Sequence, residues 1–97
     1  MLSDALAVKN LTFGLCEVPP HAAMFPHGHV QEEVIFILEG HGNVDVGGQK
    51  ESVRAGSLVH FPSGVEHFTT NEGDGVMRFA FCFSPPVVLG SYDKRSD

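Results

Sequence analysis

The chain has 97 residues, 12 acidic side chains against 6 basic ones, and a formal charge of −6. That length makes one domain, and a domain this short buries on the order of 60–65% of its surface, so metals or oligomers often assist it. The acidic balance argues against a nucleic-acid partner, because phosphate contacts need clustered Lys and Arg.

No apolar run approaches the roughly 20 residues of a membrane helix, so no membrane partner is expected. The start, Met1 to Ala7, has neither a basic region nor a long apolar core. A cytoplasmic protein without a secretory leader is therefore expected. Eleven Gly and 6 Pro, scattered between short apolar runs, favour strands and tight turns over helices.

Residues 1 to 9 read as a loose arm or an edge strand. Leu11, Phe13 and Leu15 alternate with Thr12 and Gly14, the pattern of a half-buried strand. Pro19 and Pro20 end it, and Ala22 to Phe25 lead through Pro26 into His27-Gly-His29-Val-Gln-Glu-Glu33. There His27, His29 and Glu33 share one parity, so an extended chain projects all three from one face, while Glu32 points to the other. Two imidazoles and a carboxylate suit a borderline transition metal. The strand continues into five apolar residues, Val34 to Leu38, and so heads for a core where unpaired charge is costly.

Gly40 and Gly42 bracket a turn, Val44 and Val46 alternate with Asn43 and Asp45, and Gly47-Gly48 signals a hairpin. Gln49 to Arg54 is a polar return strand, and Ala55-Gly56 turns into Leu58 to Phe61. Pro62-Ser63-Gly64 supplies a reversal that lets His67 face the first ligand group. Beyond Asn71 the chain turns through Glu72 to Gly75. A last strand, Val76 to Phe83, carries Met77, Phe79, Phe81 and Phe83 on one face, and Ser84-Pro85-Pro86 closes the barrel. Residues 91 to 97 read as a frayed end. The fold class is all-β, a sandwich or jelly-roll barrel of eight or more short strands in a single domain, with its core at about residues 10–86.

Four further residues carry alternatives. His60 is a candidate proton carrier or substrate contact if it faces the pocket, and otherwise a partly exposed or core histidine. Arg78 is a candidate partner for an anionic substrate if its face lines the barrel, and a solvated surface group if the Phe face does. Cys16 and Cys82 could pair in principle, but in an intracellular chain they are expected reduced and buried. No Gly-X-Ser-X-Gly elbow or phosphate-binding glycine loop is present.

The first stretch, His27-X-His29, three residues, Glu33, six residues, Gly40, resembles the first motif of the cupins. The second, Gly56, five residues, Pro62-X-Gly64, two residues, His67, three residues, Asn71, is similar to their second motif at every named position. One departure is His21, which stands where the first motif usually opens with glycine. The resemblance implies a double-stranded β-helix barrel with His27, His29, Glu33 and His67 around one divalent transition metal, Fe, Mn, Ni or Zn. It implies a metalloenzyme of dioxygenase, isomerase or lyase type acting on a small polar or anionic metabolite. The alternatives are a non-catalytic binding module for a small metabolite or sugar acid, or a barrel whose metal is structural. A homodimer, paired through strand edges as cupins commonly are, is also expected.

Overall fold

The structure is a computed structural model and describes residues 2–24 and 30–85, with side chains from residue 5. Among the described residues there are eight strands and no helix. They are β1 (Leu2–Ala7), β2 (Thr12–Val18), β3 (Glu32–Glu39), β4 (His41–Val46), β5 (Gln49–Arg54), β6 (Leu58–Phe61), β7 (His67–Asn71) and β8 (Met77–Ser84). A five-stranded sheet has the order β1-β2-β8-β3-β6, and a three-stranded sheet the order β5-β4-β7, all antiparallel. The first residues thus form an edge strand, not a loose arm.

The two sheets face each other across an apolar core, as the jelly-roll pattern requires. From the large sheet come Ile35, Ile37, Phe61 and the β8 row Met77, Phe79, Phe81 and Phe83; Val44 and Val53 come from the small one. After β2 the chain passes from the large sheet to the small one. Ala23 bridges Thr70, Met24 N donates to Thr69 O at 2.9 Å, and Asn71 N donates to Ala22 O at 2.8 Å. The β4–β5 hairpin turns on Gly47 (φ 58°) and Gly48 (φ 93°), the two positive values that a type I′ turn demands.

The structure inverts the expected phase of β2. Thr12, Gly14, Cys16 and Val18 face the core, while Phe13 and Leu15 face outward at 50% and 43% exposure. The register with β8 explains this, because neighbours across a sheet share a face. Gly14 lies beside Phe81, Cys16 beside Phe79 and Thr12 beside Phe83. Once the phenyl row fills the interior, only small side chains fit next to it. Val34 to Leu38 also differ from a run buried on both faces: Ile35 and Ile37 are inside, whereas Val34, Phe36 and Leu38 stay exposed. Cys16 lies in the core as expected, but Cys82, expected buried, is only partly so and lies on the outer face, so the sheet itself stands between the two thiols.

His21 has φ 59°, the left-handed conformation that glycine adopts most readily, which accounts for glycine's usual place there. Its Nε2 meets Asp74 Oδ1 at 2.8 Å. The fully buried Asn71 amide ties the same region together. Its Nδ2 donates to Val18 O (3.0 Å), Pro19 O (3.1 Å) and Gly75 O (2.8 Å), and its Oδ1 accepts from Gly73 N (2.9 Å). One side chain thereby joins the end of β2 to the β7–β8 turn.

Asn71→Asp turns an acceptor toward three carbonyl oxygens. It is expected to cost about 3 kcal/mol, a fall in Tm of roughly 12–24 °C by thermal denaturation. Asp74→Asn, on the same turn but with its carboxylate in solvent, should shift Tm by less than about 4 °C.

Candidate metal centre

β3 carries Glu33 into the barrel and leaves Glu32 outside, as the parity of the stretch demands. In register with Glu33 lie Phe61 on one side and Phe83 on the other, both buried. The carboxylate therefore emerges between two phenyl rings. The chain then reverses through Pro62 to Gly64, with Val65 N donating to Pro62 O at 3.3 Å and Gly64 at φ 77°. That reversal brings His67, at the start of β7, over the same rings. The imidazole stacks on Phe61 with centroids 4.0 Å apart and planes 3° from parallel.

The ring's orientation follows from its hydrogen bonds. Nδ1 lies 3.1 Å from Val65 O, and a carbonyl only accepts, so Nδ1 carries a proton. Nε2 then points at Glu33 Oε1, 3.0 Å away. Glu33 is 5% exposed and His67 3%. A neutral ring protonated at Nδ1 presents a lone pair to an anionic oxygen, so this contact calls for a second proton or a cation between the two atoms. In an apolar interior an uncompensated carboxylate is costly. Imidazole nitrogen plus carboxylate oxygen, with the other ring nitrogen anchored on a backbone carbonyl, is a donor set that fits a first-row divalent ion.

Of the four ligands expected from the sequence, the structure brings Glu33 and His67 together. His27 and His29 fall in residues 25–29, outside the described residues. The described chain is fastened on both sides of that segment. Met24 is bonded to Thr69 on the strand of His67, and Val30 O accepts from Ser63 Oγ at 2.6 Å in the turn before it. Among the described residues no group of three or more His, Cys, Asp or Glu is gathered.

His60 and Arg78 are placed elsewhere. His60 pairs in register with Val34 on the outer face and meets Glu32 Oε2 at 2.6 Å, both side chains more than half exposed. It borders a cleft of ≈ 460 Å³ between β5 and β6 that neither Glu33 nor His67 lines. Arg78 also faces outward, because Met77 and Phe79 on either side of it fill the core. Its guanidinium binds Glu17 (2.6 Å) and Glu39 (3.2 Å). The Glu17 hydrogen bond, then the charges of Glu39 and Glu17, hold it above its usual range. For Arg78 this is the solvated alternative, with no substrate contact inside the barrel. Phe61 and the Val65 carbonyl, which orient His67, are not apparent from the motif spacing. The matching parity of Phe61 and the inward β8 row was the available signal for the first; a backbone carbonyl has none.

Residues 14–83 match the cupin domain family. The chain is 31% identical over 98 residues to acireductone dioxygenase 1 of Arabidopsis thaliana, covering 86% of this chain and 49% of that protein. It is 34% identical over 91 residues to a vicilin-like seed storage protein of the same plant, covering 88% of this chain and 18% of that protein. The chain thus spans about half or less of these two relatives. A crystal structure of a predicted oxalate decarboxylase from Thermotoga maritima superimposes with a TM-score of 0.78 at 23% identity, over 86% of this chain and 78% of that one. At that identity the likeness concerns the fold.

Removing one member of the buried pair takes a charge-compensating contact from the other. Without metal, His67→Ala is expected to lower unfolding stability by about 3–5 kcal/mol. Adding Glu33→Gln should return part of that loss, by about 1 kcal/mol or more, in a urea-unfolding double-mutant cycle. Additive effects would show that the two side chains are not coupled.

Proposed function

The chain belongs to the cupin domain family, and from that premise we propose that it is a metal-dependent enzyme of dioxygenase, isomerase or lyase type acting on a small polar or anionic metabolite. The observation that carries this is the buried Glu33–His67 contact, an oxygen and a nitrogen donor 3.0 Å apart in an apolar interior. The motif spacing assigns His27 and His29 to the same centre. The bonds of Met24 to Thr69 and of Val30 to Ser63, which flank His67 in the chain, support that assignment, since five residues span at most about 18 Å.

Bound there, a divalent ion such as Fe, Mn, Ni or Zn would supply Lewis acidity toward two oxygen atoms of a substrate. The chain's own residues do the rest. Glu33 contributes one anionic charge, which leaves a divalent centre net positive and attractive to an anionic metabolite. The Val65 carbonyl keeps the His67 proton on Nδ1 and frees Nε2 for the metal. Phe61 and Phe83, buried and in register on either side of Glu33, give that side of the centre an apolar wall. The likeness to a dioxygenase supports the catalytic reading. The likeness to a seed storage protein favours a non-catalytic role, and the second reading is accordingly a binding module, its ligand a small metabolite or sugar acid.

Elemental analysis of the purified protein tests the centre. About one divalent metal per chain is expected, falling by about tenfold or more in His67→Ala. Equal content in the two proteins removes His67 from the ligand set. Turnover of a panel of small oxo- and hydroxy-acids by the metal-loaded chain separates enzyme from binding module. Water exchange on the Mn-loaded protein separates both from a purely structural ion.

Linkage provides the second expectation. Saturating metal at about 100 times Kd stabilises the fold by about 2.7 kcal/mol, so a chelator should lower Tm by roughly 10–20 °C. Protons compete with the metal for imidazole nitrogen. The chelator effect should therefore be full at about pH 7.5 and nearly absent at about pH 5. An unchanged melting curve on protein proven to contain metal would mean that the ion lies elsewhere.

A further inference from the structure

The two sheets part along one flank of the barrel. β5 ends the small sheet and β6 ends the large one, and the cleft of ≈ 460 Å³ lies between them. Small-molecule sites have volumes of about 300–1,000 Å³, so this one is large enough for a metabolite. Val44, Val46, Val53 and Val59 give it an aliphatic lining. Strand alternation places Gln49 and Glu51 on the same face of β5 as the buried Val53, and Lys50 and Arg54 on the opposite one. Among the described lining residues Glu51 is the only Asp, Glu, Lys or Arg. Its carboxylate also differs from those nearby. Glu17 and Glu39 hold Arg78, and Glu32 holds His60. Glu51 has no side-chain hydrogen bond or ion pair among the described residues, and its cross-strand neighbour is Val44.

We propose that the cleft binds a small molecule carrying an aliphatic chain and a primary amine, with the chain against the valines and the ammonium on Glu51. An ammonium brings three donors and a positive charge to a carboxylate that is acceptor only. An anion is disfavoured, because it would meet the same carboxylate with no lining Lys or Arg to offset it. The imidazole of His60, which borders the cleft, is already engaged by Glu32. Strand rise sets Glu51 roughly 7 Å along β5 from Val53, so a chain of about six carbons covers the valines while its amine reaches the carboxylate. The site is distinct from the metal centre in lining and in preference. A divalent ion beside Glu33 attracts anions, whereas this cleft attracts cations.

Titration of the isotope-labelled chain with hexylammonium, followed by methyl NMR, tests the assignment. The methyls of Val44, Val46, Val53 and Val59 should shift. Affinity should exceed that for hexanol or hexanoate by about tenfold. Glu51→Gln, at an exposed position, should bring hexylammonium down to the level of hexanol. Asp74→Asn removes the same charge from the β7–β8 turn and should leave the affinity unchanged. Hexanol binding as tightly as hexylammonium overturns the proposal, since the valines alone would then account for it. So do unmoved valine methyls, an affinity that Glu51→Gln leaves intact, or an equal loss in Asp74→Asn. The comparison of the three ligands needs no variant. It reads the cleft with or without metal in the chain, so its outcome is independent of the proposed metal chemistry.

Discussion

The inward row of Met77, Phe79, Phe81 and Phe83 on β8 sets the facing of the strands around it. β8 lies at the centre of the large sheet, paired with β2 on one side and β3 on the other. Side chains in register share a face, so a row of bulky rings pointing inward decides which residues of both neighbours point inward with it. β2 answers with small residues, Gly14 beside Phe81 and Cys16 beside Phe79. β3 answers with Ile35, Ile37 and, at its far end, Glu33 beside Phe83. The same constraint therefore packs the core, exposes Phe13 and Leu15, and delivers a carboxylate to the interior.

That carboxylate creates the principal tension in the barrel. Burying charge among phenyl rings opposes folding unless a partner compensates it. The partner, His67, is remote in sequence but close in space, because the Pro62–Gly64 reversal follows directly on the strand that flanks Glu33. Its ring is held by stacking on Phe61 below and by the Val65 carbonyl behind. Little freedom remains for either donor, which is the preorganisation a metal centre benefits from. Asn71, at the other end of β7, performs a structural task with the same economy, satisfying backbone groups on two separate connections with one amide.

The outside of the large sheet follows from the inside. A strand such as Val34–Leu38, apolar at every position, matches a sheet covered on both faces better than one facing water. The small sheet covers the inner face; among the described residues nothing covers the outer one. The outward Phe13 and Leu15 extend this second apolar face across β2, and the register aligns them with Phe36 and Leu58. A surface built across five strands is a property of the sheet and of no single segment.

Much of this was legible in the chain itself. Turn chemistry at Gly47-Gly48 and Pro62-Ser63-Gly64, with period-two alternation between turns, determined an all-β domain and most strand positions, because these signals are local. Parity likewise determined that Glu33 and Glu32 lie on opposite faces, since alternation along one strand needs no knowledge of its neighbours. The orientation of β2 was decided only by the tertiary structure. Its own alternation favoured Phe13 and Leu15 as the buried face, and volume competition with the β8 rings overruled it. The same holds for His60 and Arg78, whose roles depended on which face of β6 and β8 meets the core. Local periodicity says that two faces differ; only packing against the rest of the chain says which one is inside.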